Sequence, residues 1–285
     1  MNARVNAVRA GLSRGWTEFR LSFTNAQELF SGYLLMPAVF VVLAVILGGE
    51  RMAGTDTSAG ATTMAMGITM HMAILGLMTV AQVLGTERED GTLLRARATP
   101  HGMLGYGVAK TGHVLGMSVV AVLLMLVPGT LLVDGFALRG LTGALTLLWV
   151  FLLAMLALAP IGAILGATLS NPRTGVGLLV IPVMGLVGIS GVMFPITFMP
   201  GWVQSLAQVF PVYWIGLGVR ASLLPADHVA LELTGTWQLP QVAGVLTLWA
   251  VVGFAVAQWV LRRMARRESG SRVQAARERA MKRAY

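Results

Sequence analysis

Six stretches of this chain, at approximately 32–49, 62–84, 108–133, 141–169, 174–194 and 241–261, are long, apolar and almost free of charge. A hydrocarbon core about 30 Å thick takes roughly 20 mostly apolar helical residues to cross, so these lengths predict membrane-spanning helices. Composition agrees. Only 12% of residues are charged and 56% are hydrophobic, against about 25% charged in an ordinary soluble chain. The expected fold is an all-α polytopic membrane protein with six transmembrane helices, the fourth long enough to tilt or to bend at Pro160.

Basic residues are retained on the cytoplasmic side of a membrane, so their distribution tests the span count. The N-terminal tail, the 85–110 connection, the 170–173 turn and the tail from Arg262 onward together hold 18 of the 21 Lys and Arg. The three alternate connections hold Arg51, Arg139 and Arg220. That asymmetry places both termini in the cytoplasm and requires an even number of spans. The net charge of +9 then reports sidedness and not a nucleic-acid partner. Residues 195–240 are apolar, but Pro195, Pro200, Pro211 and Pro225 divide them into pieces too short to cross. They are expected to form short outer re-entrant helices between spans five and six, with Trp202, Tyr213, Trp214 and Trp237 at headgroup depth. No repeat or linker divides the chain. It reads as an N-terminal interfacial segment (1–31), one six-span membrane domain (32–261) and a basic cytoplasmic tail (262–285), with no cleavable signal peptide before Gly32.

Within residues 5–30, Leu12, Trp16, Phe19 and Phe23 recur at helical spacing, while Arg9, Arg14, Glu18 and Arg20 lie mostly off that stripe. This is the pattern of an amphipathic helix lying in the interface, as an anchor or more. The cytoplasmic 85–104 connection carries the most informative segment. Glu87, Arg88, Glu89 and Asp90 are followed by Gly91-Thr92, then by Leu93 and Leu94 with Arg95 and Arg97, and Pro100 ends the element. A solvated loop could read this way, but segregated charges and paired leucines favour a docking helix.

Other chemistry is sparse. The chain has no cysteine, and its four histidines, at 71, 101, 113 and 228, are too scattered to suggest a metal site. A phosphate-cradling loop needs glycines that Leu104 and Ala109 replace ahead of Lys110-Thr111, so no nucleotide cofactor is expected on this chain. Lys110 reads as a lysine snorkelling to the headgroups. His71, Gln82 and His113 are polar residues within spans and candidates for a translocation path, although a histidine satisfied by a neighbouring helix reads the same way. No intramembrane acids suggest a proton relay. Gly112/Gly116 and Gly162/Gly166 hint at close helix approach. The glycines around Pro182 mark span five as a flexible or tightly packed wall between subunits, and Met64, Met66, Met70, Met72 and Met78 suggest adaptable packing in span two.

Two motifs carry a resemblance to a known family. Glu87-Arg88-Glu89-Asp90-Gly91-Thr92-Leu93 with the following Thr99-Pro100, and Phe194-Pro195, Pro200, Trp202, Pro211, Tyr213 and Trp214 after span five, resemble the membrane subunits of ATP-binding-cassette exporters of the type-2 permease family. That group includes drug and polysaccharide exporters. The resemblance implies two paired permeases, this chain with a second copy or a related one. Two separate cytoplasmic ATPases would carry ATP and Mg, each receiving one coupling helix in a groove. Glu87, Arg88, Glu89, Asp90, Gly91 and Thr92 would then contact the ATPase, with Leu93 and Leu94 seating the helix. The expected activity is export of an amphiphilic drug or lipid-like molecule across a bacterial cytoplasmic membrane, with drug efflux and antibiotic resistance as the expected role. Export of a lipid-linked glycan is an alternative that 7% aromatic content disfavours. An intramembrane enzyme using His71 or His113 and a non-transporting regulatory subunit are alternatives from other classes.

Overall fold

The computed structural model describes residues 3–52, 54–89, 92–99, 101–168 and 172–267. Helix α1 (Ala3–Ser22) is followed by a short α2 (Ala26–Glu28), a π turn (Leu29–Leu34) and α3 (Leu35–Ile46), so the helical backbone is unbroken from 26 to 46. Pro37 supplies a cause for the irregularity. It lies in the first turn of α3 and has no N–H for the carbonyl four residues earlier. Next come α4 (Ala59–Ile74), a second π turn (Leu75–Thr79) and α5 (Val80–Glu89), again one continuous run. The short α6 (Thr92–Arg97) leads to α7 (Gly102–Leu132), α8 (Gly140–Thr168) and α9 (Pro172–Ile189). Finally, α10 (Gly201–Val209) and α11 (Pro211–Leu223) precede α12 (Leu239–Arg267), with 3-10 turns at Ile196–Phe198 and Ala226–Leu231. Among the described residues there is no strand, only an isolated bridge between Arg51 and Ser58.

The helical class expected from the sequence is observed, with a difference in span length. Four helical runs, Ala59–Glu87, Gly102–Leu132, Gly140–Thr168 and Leu239–Val260, are long and apolar enough to cross a membrane. The first and fifth expected spans appear as shorter apolar helices, Leu35–Ile46 and Gly177–Ile189. Pro160 does not interrupt α8, which runs through it for 29 residues.

Apolar side chains gain nothing from exchanging lipid for one another, so helices in a membrane associate through close contact and through polar groups that find partners. Small residues provide that contact here. A Cβ on Gly162 of α8 would sit 2.6 Å from the Leu77 carbonyl oxygen in the second π turn. One turn on, a Cβ on Gly166 would sit 2.6 Å from the Ala81 carbonyl oxygen. The Gly162/Gly166 pair therefore marks a true crossing. In the other pair only Gly116 is in contact, against the Phe19 ring, while Gly112 faces open space. Helix α8 packs on α5, α11 and α12, with a core that includes Met64 and Met72, so these methionines of span two are packing residues.

Helix α11 lies inside this bundle, against α4, α8 and α12. Nearly all its residues are buried, Tyr213 and Trp214 among them. Protein covers both aromatics, and Trp214 Nε1 donates to the Gln208 carbonyl at 2.8 Å. Thirteen residues span only about 20 Å at 1.5 Å per residue, so α11 is too short to cross, as its flanking prolines imply. Trp202 and Phe194 remain strongly exposed.

The crossing of α8 over the second π turn can be tested by adding volume. Gly162→Leu is expected to destabilise the chain by about 1–3 kcal/mol through overpacking, read as a lower melting temperature in detergent. Gly112→Leu, into open space, should leave it unchanged.

Candidate coupling surface

The connection expected to dock a partner is built as a tight helical hairpin. Helix α5 ends at Glu89, α6 occupies Thr92–Arg97, and α7 starts at Gly102. The reversal from α6 to α7 is closed by hydrogen bonds from the Ala98 amide to the Arg95 carbonyl at 3.2 Å and from the Gly102 amide to the Thr99 carbonyl at 3.0 Å. His101 enters α7 with a left-handed backbone, φ 55. Any side chain at position 102 would overlap the Ala96 carbonyl and the Thr99 hydroxyl, so glycine is required there. Arg95 is exposed and its Nη2 donates to Thr92 Oγ1 at 3.4 Å. Of the residues that the sequence nominated for contact, Asp90 and Gly91 lie outside the described residues, as do the side chains of Arg88, Glu89, Leu93 and Leu94.

Glu87, at the end of α5, points inward. Its Oε1 lies 2.5 Å from Lys110 Nζ, and the same ammonium lies 2.7 Å from Glu18 Oε2 of α1. Arg14 Nε completes the cluster at 2.8 Å from Glu18 Oε1. The expected snorkelling role of Lys110 is thereby corrected. It joins three helices because two carboxylates meet it at the ends of apolar runs, where a lone ammonium would otherwise need water. Burial pushes the Glu18 carboxyl up, but hydrogen bonds from Lys110 and Arg14 outweigh it and hold the group below its ordinary 4.5. The Arg14 guanidinium is correspondingly held above its ordinary value, chiefly by its hydrogen bond to Glu18.

Helix α1 reaches this cluster through a face that the sequence reading did not identify. Gly11 and Gly15 are buried against α7, where a Cβ on Gly15 would lie 2.7 Å from the Ala109 carbonyl and one on Gly11 would overlap the Gly105 carbonyl. Leu12 and Trp16 are exposed on the other side. The Gly11/Gly15 spacing was the available signal. The Glu18–Lys110 contact had none, since 92 positions separate the partners. Between α1 and α6 lies a cleft of about 600 Å³, bounded by Gly11, Arg14, Thr92, Arg95 and Tyr106.

A second cavity of about 410 Å³ begins at this end of the bundle, between α5, α7, α8 and α12. Its wall is almost entirely aliphatic and includes Leu84, Met155 and Leu156, with Tyr106 and Lys110 at one end. None of His71, Gln82 and His113 lines it. His71 is buried in α4, and neither ring nitrogen has a hydrogen-bond partner. His113 is buried on α7, and Gln82 is exposed on α5. Among the described residues no group of His, Asp and Glu could hold a metal ion.

Lys110→Met would leave Glu18 and Glu87 without their shared cation, a loss of about 1.5–3 kcal/mol for each charge-assisted hydrogen bond. Limited proteolysis should then cut α1 faster at neutral pH. In the parent chain the sign of the pH dependence follows from the lowered Glu18 value. Its stabilisation is complete above 4.5 and is lost as pH falls through the folded-state value, so α1 should become cleavable by an acid-tolerant protease only in that acidic window.

A comparison with curated proteins finds no match. A family model described as ABC-2 family transporter protein matches residues 47–259. The match runs from the residue after α3 almost to the end of α12, taking in Glu87 and Lys110 but not Glu18. With most of the chain covered by that model, the protein belongs to the ABC-2 family of transporter membrane proteins.

Proposed function

We propose that this chain is the membrane half of an ATP-driven exporter that moves an amphiphilic small molecule, drug-like or lipid-like, out of the cell. A separate cytoplasmic ATPase docks on the 85–100 segment, and two ATPases serve two permeases. The observation that carries this reading is the Glu18–Lys110–Glu87 cluster. It ties the last turn of α5 to the first turns of α7, bracing both arms of the α6 hairpin against α1. A partner pushing on α6 would therefore displace span two and span three together, whereas a floppy loop would absorb the movement. Glu89, Asp90, Gly91 and Thr92 would meet the ATPase, Leu93 and Leu94 would seat the helix, and Glu87 would hold the arm that carries them.

The cavity between α5, α7, α8 and α12 supports an apolar cargo over a glycan, since Tyr106 and Phe254 are the only aromatic residues in its wall. A second permease copy would cover α9, whose Gly177, Gly185 and Gly188 face open space. Gln82, exposed on α5 next to α9, would face the path between copies.

Two measurements test this reading. With the partner ATPase in nanodiscs, Glu89→Lys with Asp90→Lys should abolish assembly or uncouple hydrolysis from transport, and unchanged coupled transport would overturn the docking role. The absence of cysteine allows clean single-site labelling for sidedness. A membrane-impermeant maleimide should reach Thr55→Cys in intact cells, and Arg9→Cys only after the membrane is opened. The reverse pattern overturns the orientation.

A further inference from the structure

At the end of the bundle opposite α1 and α6, a cavity of about 340 Å³ is bounded by the loop after α3, the start of α4, residues 191–196 after α9, Arg220 of α11 and the turn Ala226–Leu231 with Glu232. Much of its wall is apolar and rich in methionine, with Met52, Met66 and Met193. Five polar side chains interrupt it, Thr62, Thr63, Arg220, His228 and Glu232, and the two threonine hydroxyls donate to the Ser58 and Ala59 carbonyls at 3.3 and 2.8 Å.

Two of these are satisfied by each other. Arg220 Nε lies 2.6 Å from Glu232 Oε1 and Nη2 lies 3.1 Å from Oε2, with the side chains only 8% and 3% exposed. Arg220 Nη1 also donates to the Gly191 carbonyl at 3.4 Å, at the end of span five. Gly191 holds φ 68, which glycine adopts without strain. The pair is charge-neutral and already matched.

His228 is not. It is 3% exposed, and its ring stacks on Trp237 with centroids 6.4 Å apart and planes 6° from parallel. Its Nδ1 has no hydrogen-bond partner. Burial, reinforced by the Arg220 charge, pushes its pKa down to about 4, so the ring is neutral near pH 7. A buried polar atom without a partner is rare because leaving it unmet costs free energy. Water is a poor occupant. A buried water needs 2–4 polar partners, while Arg220 and Glu232 are committed to each other and the Thr62 and Thr63 hydroxyls to carbonyls of their own helix.

We propose that this cavity binds one neutral, hydroxyl-bearing amphiphile, its hydroxyl on His228 Nδ1 and its apolar body among Met52, Met66 and Met193. A hydroxyl both donates and accepts, so it suits either tautomer of the ring. An ionised ligand would enter a low-dielectric site whose charges already cancel, with nothing to offset its lost hydration. Methionine side chains adapt to apolar bodies of different shape. The rim residues Met193 and Phe194 are exposed, which puts the mouth on the apolar flank of the molecule. The site stands independently of export, because the outcomes that overturn it read binding and not transport.

The full-length chain in phosphatidylcholine nanodiscs is photolabelled with diazirine analogues of hexadecanol, palmitic acid and hexadecylamine, and the adducts are mapped by mass spectrometry. The alcohol is expected to label residues 52–66 or 191–196 at least about fivefold above the acid and the amine, the scale of one hydrogen bond. His228→Phe keeps the ring on Trp237 and removes the nitrogen. It should reduce alcohol labelling about fivefold without lowering thermal stability, and Met66→Trp, which fills the cavity, should abolish labelling. Competition by dioleoylglycerol supports the site with a membrane lipid as its source, and reduced labelling when ATP-driven turnover with the ATPase precedes irradiation supports it with the cargo as its source. Equal labelling by all three probes, or alcohol labelling unchanged in His228→Phe, overturns the proposal.

Discussion

Helices surrounded by hydrocarbon are held together only where backbones approach closely or where a polar group finds its partner inside the protein. Everything distinctive in this structure follows from that constraint. Gly162 and Gly166 let α8 lie on the carbonyls of the second π turn and α5, and Gly11 and Gly15 let α1 lie on α7. These crossings fix which charged residues meet. Lys110 is brought between Glu18 and Glu87 at one end, and Arg220 is brought onto Glu232 at the other.

The two charged clusters differ in what they can do. The Lys110 cluster is half-buried and joins three separate helices, so it holds both arms of the hairpin against α1. The Arg220–Glu232 pair is nearly dry, and breaking such a pair costs about 3–5 kcal/mol because one charge is left uncompensated. It fixes α11 to the end of span five and to the turn before α12. Between the two ends lies the π turn at Leu75–Thr79, a departure from regular helix that occurs frequently at functional sites. The continuous helix from Ala59 to Glu89 joins Glu87 to this irregular segment, which is in contact with α8.

Several features were legible in the residues. Long apolar runs predict a helical membrane protein, prolines predict that 195–240 breaks into short pieces, and the 85–100 motif marks the hairpin that the structure builds as α5, α6 and α7. Other features were hidden for a physical reason. Tyr213 and Trp214 have the amphipathic side chains of interfacial residues, yet α4, α8 and α12 enclose them, because what surrounds a short helix is set by its neighbours and not by its own composition. Gly112 and Gly116 have the same spacing as Gly162 and Gly166, but of these two pairs only Gly162 and Gly166 both meet a neighbouring backbone. A spacing permits close approach without requiring it.

By itself, the sequence determined the helical class, the approximate ends of the apolar runs and the family motif. Those depend on local properties, namely the length of an apolar run, the effect of a proline on its own turn and the order of charges along one segment. Only the tertiary structure decided that Lys110 is a junction and not a lone snorkelling cation, and that Arg220, His228 and Glu232 share a cavity wall. Those are meetings between residues far apart in the chain, as Glu18 and Lys110 are across 92 positions. Helix packing brings such partners together, and the pattern along the chain does not encode which will meet.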